Sequence, residues 1–257
     1  MSISLNIITV VRNDLQSLLK TIDNIQAFNF NEGLRLKHII VDGLSTDGTW
    51  DVISELSKSL KIETILISEA DQGIYDAMNK GVARYKCDFT LFVNAGDEVT
   101  PFITTEDFVK SLEKCLCDMK VAGSAYSCYY KFNNKSIKIA ARKVGFERMP
   151  SLHQGIVYKR EKLVDFPYVL KYKICGDYHN WCELRSSYNF HIHSPVLATL
   201  EAGGTSTMRP LILFKESLEI YRRFVQPSTL KLTIHKLNLF LSLCLTQILY
   251  RVMNIFR

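Results

Sequence analysis

The chain has 257 residues, 47% of them hydrophobic and 23% charged, which excludes intrinsic disorder and fibrous repeats and suits one large globular domain. Its 32 Lys plus Arg against 26 Asp plus Glu leave a net charge of +6, which raises nucleic acid and membrane surfaces as partners. The charge is unevenly spread: residues 1–130 hold 12 basic and 18 acidic side chains, 131–173 hold 11 and 3, 174–208 hold 1 and 3, and 209–257 hold 8 and 2.

Met1 to Val11 is apolar, but it lacks a basic leader and a small-residue cleavage site, so it reads as a first strand rather than a signal peptide. Leu5 to Val11 is a continuous β-branched-rich run, suited to a buried parallel strand. Asn13 or Asp14 then caps a helix whose apolar stripe is Leu15, Leu18, Leu19, Ile22, Ile25 and Phe28. The alternation repeats: strand Lys37 to Val41, helix Thr49 to Leu60, strand Ile62 to Ile67, helix Tyr75 to Tyr85, strand Phe89 to Val93. Such βαβ units predict an α/β fold with a mostly parallel sheet covered by helices on both faces. Beyond Asp97 the expected elements are a helix from Glu106 to Asp118, a strand from Ala122 to Phe132, a loop over 144–156 and a short helix over 177–187. Phe190 to Leu200 reads as a strand or a pair of strands broken at Pro195. Helices then run from Pro210 through Phe224 and from Leu230 to Phe256. The seven cysteines, at 87, 115, 117, 128, 175, 182 and 244, lack CxxC or metal-ligand spacing and read as free thiols of a reducing cytosol.

In open α/β sheets ligands bind at the carboxyl ends of the strands, and here all four loops at those ends are polar. They are Thr9-Val10-Val11-Arg12-Asn13-Asp14, Asp42-Gly43-Leu44-Ser45-Thr46-Asp47-Gly48-Thr49, the stretch Ser68 to Gly81, and Asn94-Ala95-Gly96-Asp97. No GxGxxG or GxxxxGK[ST] occurs, which counts against a dinucleotide dehydrogenase and a P-loop NTPase. In the second loop Ser45 or Asp47 suits a helix N-cap, and Asp42 at the strand end suits a carboxylate that accepts the imide N–H of a uracil. Asn94 to Asp97 reads either as a plain turn or as a site where Asp97 ligates a hard divalent cation, which requires oxygen ligands and neutralises a diphosphate leaving group.

The string from Asp42 to Thr49 resembles DGGSxDGT, and that from Asp71 to Gly81 resembles DxGIYDAMNKG, two motifs of the inverting family 2 glycosyltransferases with a GT-A fold. The closest wording is that of bacterial enzymes building O-antigen, capsule and colanic-acid-type polysaccharides. The resemblance runs from residue 3 to about 100 and in patches to about 206. It implies a uridine pocket lined by Thr9, Val11 and Asp42, with Asp71, Asp76 and Asn79 on the pyrophosphate and sugar side. Asp97 stands at the last position of the family's metal-binding DxD, while Asn94 or Ala95 stands near its absent first aspartate. The implied cofactor is Mn2+ or Mg2+, held chiefly by the nucleotide and Asp97. An inverting transfer needs a general base, and the resemblance places it at Asp177 in Cys175-Gly176-Asp177-Tyr178-His179, where glycine replaces the family's preceding acid; plain helix capping is the alternative. His153 and Gln154 resemble the end of an acceptor-side loop. Gly203-Gly204-Thr205-Ser206 resembles a turn bordering the donor. His191 and His193 share a strand face and read as packing.

The expected organisation is a GT-A domain over 1–208, with a nucleotide-binding half (1–100) and an acceptor-binding half (101–208), followed by a basic amphipathic helical segment over 209–257. The apolar run from Leu237 to Tyr250 is interrupted by Asn238, Ser242, Thr246 and Gln247, short of the roughly 20 residues needed to span a bilayer. With Lys231, Lys236, Arg251 and Arg257 around it, it suits an interfacial helix on an anionic leaflet; packing on the domain or in a homodimer is the alternative. The resemblance thus implies transfer of a hexose from a UDP-sugar to a lipid-linked (polyprenyl-diphosphate) saccharide, with a β-linkage, in the bacterial cytoplasm at the inner membrane. A degenerate fold that binds a nucleotide sugar or a partner without turnover is the rival reading. Nucleic-acid binding rests on the basic blocks alone and has no motif.

Overall fold

A computed structural model describes residues 2–27, 33–100, 103–132, 135–203 and 208–255, with side chains as far as Cys244. The expected helix end at Phe28, the residues Gly204-Thr205-Ser206 and the helix end at Phe256 lie outside the described residues. Strand β1 (Ile3–Val11) is almost wholly buried, as its unbroken apolar run requires. Helix α1 (Leu15–Gln26) follows, with Asp14 accepting a hydrogen bond from Ser17 N at its head. The alternation continues through β2 (Leu34–Asp42), α2 (Thr49–Leu56), β3 (Thr64–Ser68), α3 (Ile74–Arg84) and β4 (Phe89–Phe92).

The second half contains β5 (Glu98–Val99), α4 (Thr105–Cys117), β6 (Val121–Phe132), β7 (Lys135–Ile139), β8 (Ile156–Lys159), α5 (Arg160–Asp165), α6 (Gly176–Ser187), β9 (Asn189–Glu201), α7 (Pro210–Val225) and α8 (Thr229–Ile255). One sheet runs in the order β3-β2-β1-β4-β8-β6-β9-β5, with β7 paired to β6. Its first four strands are parallel, as is the long β6–β9 pair, while β5, β7 and β8 run antiparallel to their neighbours. On one face Ile8, Val10, Ile39 and Val41 pack with Tyr75, Met78, Trp181 and Ile220 from α3, α6 and α7. On the other, Ile7, Val11 and Ile40 meet α1, α2 and α4 through Leu18, Ile22, Ile53 and Leu112.

Three sequence expectations are corrected. The loop expected over 144–156 ends in a 3-10 turn, His153–Gly155, and residue 156 opens β8, a four-residue buried strand. Helix α2 tightens into a 3-10 turn at Ser57–Ser59. Strand β9 is not broken at Pro195: the register passes from Tyr126↔His193 to Ser127↔Val196, so Ser194 and Pro195 form a bulge. That bulge absorbs the N–H that proline lacks, and Ser127 Oγ donates to the Ser194 carbonyl at 2.9 Å.

Candidate active site

The register sets the site. Val11 lies beside Asp42 and Asp42 beside Ser68, so the tips of β1, β2 and β3 are level. The loops leaving them are tied together, with Asn13 N donating to Ser45 Oγ at 2.8 Å and Asn13 Oδ1 accepting from Thr46 N at 2.7 Å. Asp42 is wholly buried; its carboxylate accepts from Ser45 N at 3.1 Å and Ser68 Oγ at 2.9 Å. Asp71 lies over this loop: a Cβ added at Gly43 would come 2.2 Å from Asp71 Oδ2 and 3.4 Å from Arg12 Cδ, so only glycine leaves room for that carboxylate.

Thr9 is turned into the core, its hydroxyl 2.9 Å from His38 Nε2; burial pushes the His38 pKa down to about 3, so the imidazole is neutral. Val11 is also buried. Neither expected cap, Ser45 or Asp47, is the N-cap of α2, which is Gly48 in the left-handed region; Asp47, one residue earlier, accepts from Thr49 N at 3.0 Å and Thr49 Oγ1 at 2.6 Å, and Ser45 ties the first two loops. In the Asp71–Gly81 stretch several residues hold the chain in place. Asp76 accepts from Gln72 N at 2.9 Å and pairs with Lys80 at 3.2 Å. Asn79 makes reciprocal 2.9 Å hydrogen bonds with the backbone of Tyr168.

Next to these loops opens a cavity of about 1160 Å3 bordered by Tyr75, Met78, Asn94 to Glu98, Leu152 to Gln154, Ile174, Asp177 and Leu200 to Gly203. It therefore brings together Asn94, Ala95, Asp97, His153, Gln154 and Asp177 from the expected site; Thr9, Val11, Asp42, Asp71, Asp76 and Asn79 lie outside its described wall. The cationic side chains Lys20, Lys131, Lys173 and Arg209 also border it.

Asp97 Oδ2 accepts from Gln154 Nε2 at 2.6 Å and Oδ1 from Glu201 N at 3.3 Å. Burial pushes its pKa up to about 7, with Glu201 and Glu98 adding repulsion. His153 stacks on Phe92 and hydrogen-bonds the Tyr168 hydroxyl at 2.7 Å; burial lowers its pKa, so it is a neutral wall of the cavity. Asp177 sits in the first turn of α6, its Oδ1 accepting from Tyr75 OH at 3.1 Å and Tyr178 N at 2.9 Å. The glycine before it has a steric cause, since a Cβ at Gly176 would come 2.7 Å from the Tyr75 ring. His191 and His193 pack as expected, paired with Asp118 at 3.2 Å and stacked on Tyr126 respectively.

Among the described residues no group of three His, Cys, Asp or Glu side chains is placed to hold a metal. The turn after β4 nevertheless suits a hard cation completed by a nucleotide. Among the described residues Asn94 Oδ1 is a buried acceptor without a partner and Asp97 is a buried carboxylate that forms no ion pair, both oxygen donors of the kind Mg2+ and Mn2+ take. Sequence reasoning missed Tyr75, although it lies inside a quoted motif. Its hydroxyl bridges the Ile174 carbonyl, at 2.6 Å, and Asp177.

The model of the family described as glycosyl transferase family 2 matches residues 6–167. An uncharacterised glycosyltransferase of Mycobacterium tuberculosis is 35% identical over 94 residues, 37% of this chain and 34% of that protein. A Mycobacterium bovis protein described as a PGL/p-HBAD biosynthesis glycosyltransferase is 39% identical over 61 residues, 24% of each chain. The matches thus span about a third or less of these curated relatives. Among solved structures, the mannosyltransferase PcManGT of Pyrobaculum calidifontis, in complex with GDP-Man and Mn2+, superposes with a TM-score of 0.66 at 14% identity over 98% of this chain and 74% of that one. Staphylococcus aureus TarS 1–349 in complex with UDP gives 0.62 at 14% identity over 91% and 68%. These likenesses establish the expected GT-A fold, and with the family match they place the protein in glycosyltransferase family 2.

Proposed function

We propose that the protein transfers a hexose from a UDP-sugar to a lipid-linked saccharide with inversion, forming a β-linkage in bacterial surface-polysaccharide assembly of the O-antigen or capsule type. The observation that carries this reading is a cavity that Asp97 on the turn after β4 and Asp177 at the head of α6 both border, edged by Lys20, Lys173 and Arg209. Asp177 removes the proton from the acceptor hydroxyl as its oxygen attacks the anomeric carbon and the C1–O bond to the diphosphate breaks. Tyr75 OH and Tyr178 N fix one oxygen of that carboxylate; among the described residues the other accepts no hydrogen bond, which leaves it to the acceptor. Asp97 and Asn94 would hold a Mn2+ or Mg2+ ion together with the donor diphosphate, and that ion supplies positive charge to the leaving UDP. The Asp42, Gly43, Arg12 and Asp71 cluster at the strand tips takes the nucleoside, with Thr9 and Val11 supporting it from the core and Asp76 and Asn79 holding the loop. Gln154 fixes Asp97, and His153 walls the acceptor side.

The acceptor's lipid agrees with α8. Among the described residues no helix is long and apolar enough to cross a membrane, yet Leu230, Ile234, Leu237, Phe240 and Leu241 are each more than half exposed on α8. The two acidic residues of 209–257, Glu216 and Glu219, lie on α7 and are engaged with residues 171–175, while Lys231 and Lys236 lie on α8. We read α8 as resting on an anionic leaflet at the cytoplasmic face of the inner membrane.

One observation favours the non-catalytic binding reading: Ala95 stands where a second carboxylate would be, and Asp97 is already engaged by Gln154 and Glu201. Purified protein tests the two. Mn2+-dependent hydrolysis of, or transfer from, UDP-galactose, UDP-glucose or UDP-N-acetylglucosamine that is abolished by Asp97→Ala and Asp177→Asn in folded protein supports the enzyme. Tight binding with no turnover supports the binding protein.

A further inference from the structure

We infer that Glu216, on α7, is a positioning residue for Asp177, so that the C-terminal helical segment forms part of the catalytic scaffold. The inference rests on the reading of Asp177 as the base. The segment entering α6 has no side-chain cap of its own, its N-cap being Cys175, and the first amides of a helix need acceptors. Glu216 supplies a carboxylate just upstream of them. Its Oε1 accepts from Lys173 N at 2.8 Å, and its Oε2 accepts from both Ile174 N and Cys175 N at 2.9 Å. Three consecutive amides converge on one anion, an arrangement that an N-terminal helix dipole favours.

From the other side, Tyr75 OH donates to the Ile174 carbonyl at 2.6 Å. Residue 174 is therefore gripped through both its N–H and its C=O, three residues before Asp177. The same Tyr75 hydroxyl also reaches Asp177. Release of the amide side lets the head of α6 drift against Tyr75 and misplaces the carboxylate, and displacement of a reacting group by about 1 Å is enough to cost about 100-fold in rate. Glu219, one turn further along α7, holds side chains of the same segment instead, pairing with Lys171 and accepting from Tyr172 OH at 3.2 Å.

The test compares Glu216→Gln, which places an amide N–H among three N–H donors, with Glu216→Asp, which keeps the charge but falls one methylene short and preserves the fold if glutamine does not. Glu219→Gln serves as the control on the same helix. Full-length proteins are assayed with the UDP-sugars above and a synthetic N-acetylglucosaminyl-diphosphate-lipid, and amide hydrogen exchange is followed over 173–178. Expected for both Glu216 variants are amides at 173–175 exchanging at least tenfold faster than wild type and a kcat lowered at least tenfold, with the donor KM within twofold. Glu219→Gln keeps kcat within twofold.

Unchanged exchange at 173–175 overturns the grip. Faster exchange with unchanged kcat, or a donor KM that rises as kcat falls, overturns the positioning role. Asp177→Asn run in parallel separates the two ideas: wild-type turnover in that variant sinks the base assignment, whereas loss of turnover there with full turnover in both Glu216 variants sinks the positioning role alone.

Discussion

Replacing Asp97 by asparagine should stabilise the metal-free protein while destroying its function. Asp97 is buried, and its pKa rises from 3.8 to about 7 on folding, so between those values the native state holds a proton that the unfolded chain has released. Stability therefore falls as pH rises through that window, and the penalty is complete above the folded value. At about 1.4 kcal/mol per pH unit between the two values, the charged form costs on the order of 4 kcal/mol. Asparagine removes that cost and still offers Gln154 Nε2 an acceptor, but it gives up the acceptor toward Glu201 N–H, worth about 1 kcal/mol. The net gain at pH 8 is about 3 kcal/mol, or roughly 10 °C in Tm for a chain of this size. At pH 5, where native Asp97 is already protonated, the gain shrinks to under about 1 kcal/mol. Calorimetry of both proteins in EDTA at the two pH values measures this difference. An Asp97→Asn protein less stable than wild type at pH 8, or equally favoured at both pH values, refutes the reasoning. Adding Mn2+ and UDP should raise the wild-type Tm by more than the variant's, since a ligand stabilises the native state in proportion to its affinity for it and the variant lacks the Asp97 carboxylate.

Further expectations follow from other contacts. Asp177→Asn should lower kcat for transfer by about 100-fold to 10,000-fold with the donor KM within twofold; steady-state kinetics on folded protein measures both. Gly176→Ala drives a methyl to 2.7 Å from the Tyr75 ring and should cost about 1–3 kcal/mol, read as a lower denaturant midpoint together with reduced turnover. Asn79→Ala removes both hydrogen bonds to the Tyr168 backbone and should cost about 2 kcal/mol by the same assay. Removal of residues 228–257 should abolish sedimentation with vesicles of anionic phospholipid, and binding of the full chain should weaken as salt rises; a truncated protein that still sediments contradicts the interfacial role of α8.

The first half of the fold was legible because β1, β4 and the end of β2 are buried apolar runs and helix α1 carries a stripe at spacings of three and four. The short elements β5, β7, β8 and α5 were not legible. Ile156–Lys159 is only four residues long, and its partners, β4 and β6, are remote in sequence, so no local period marks it. Pro195 misled because a bulge that accommodates it depends on its neighbour β6 rather than on β9 itself. The motifs located the site, but they did not separate residues facing the cavity from residues holding the loops. Asp76 and Asn79 belong to the same string as Tyr75, and only packing distinguishes their tasks. Glu216 carried no signal at all, being one acidic residue on an amphipathic helix whose partners are backbone amides some forty positions earlier.

Inversion through Asp177 is decided by the anomeric configuration of the product. NMR of the saccharide formed from a UDP-sugar and a synthetic N-acetylglucosaminyl-diphosphate-lipid should show a new β-linkage with wild-type protein and none with Asp177→Asn. An α-linked product, or a β-linked one formed at the wild-type rate by Asp177→Asn, would contradict inversion through Asp177.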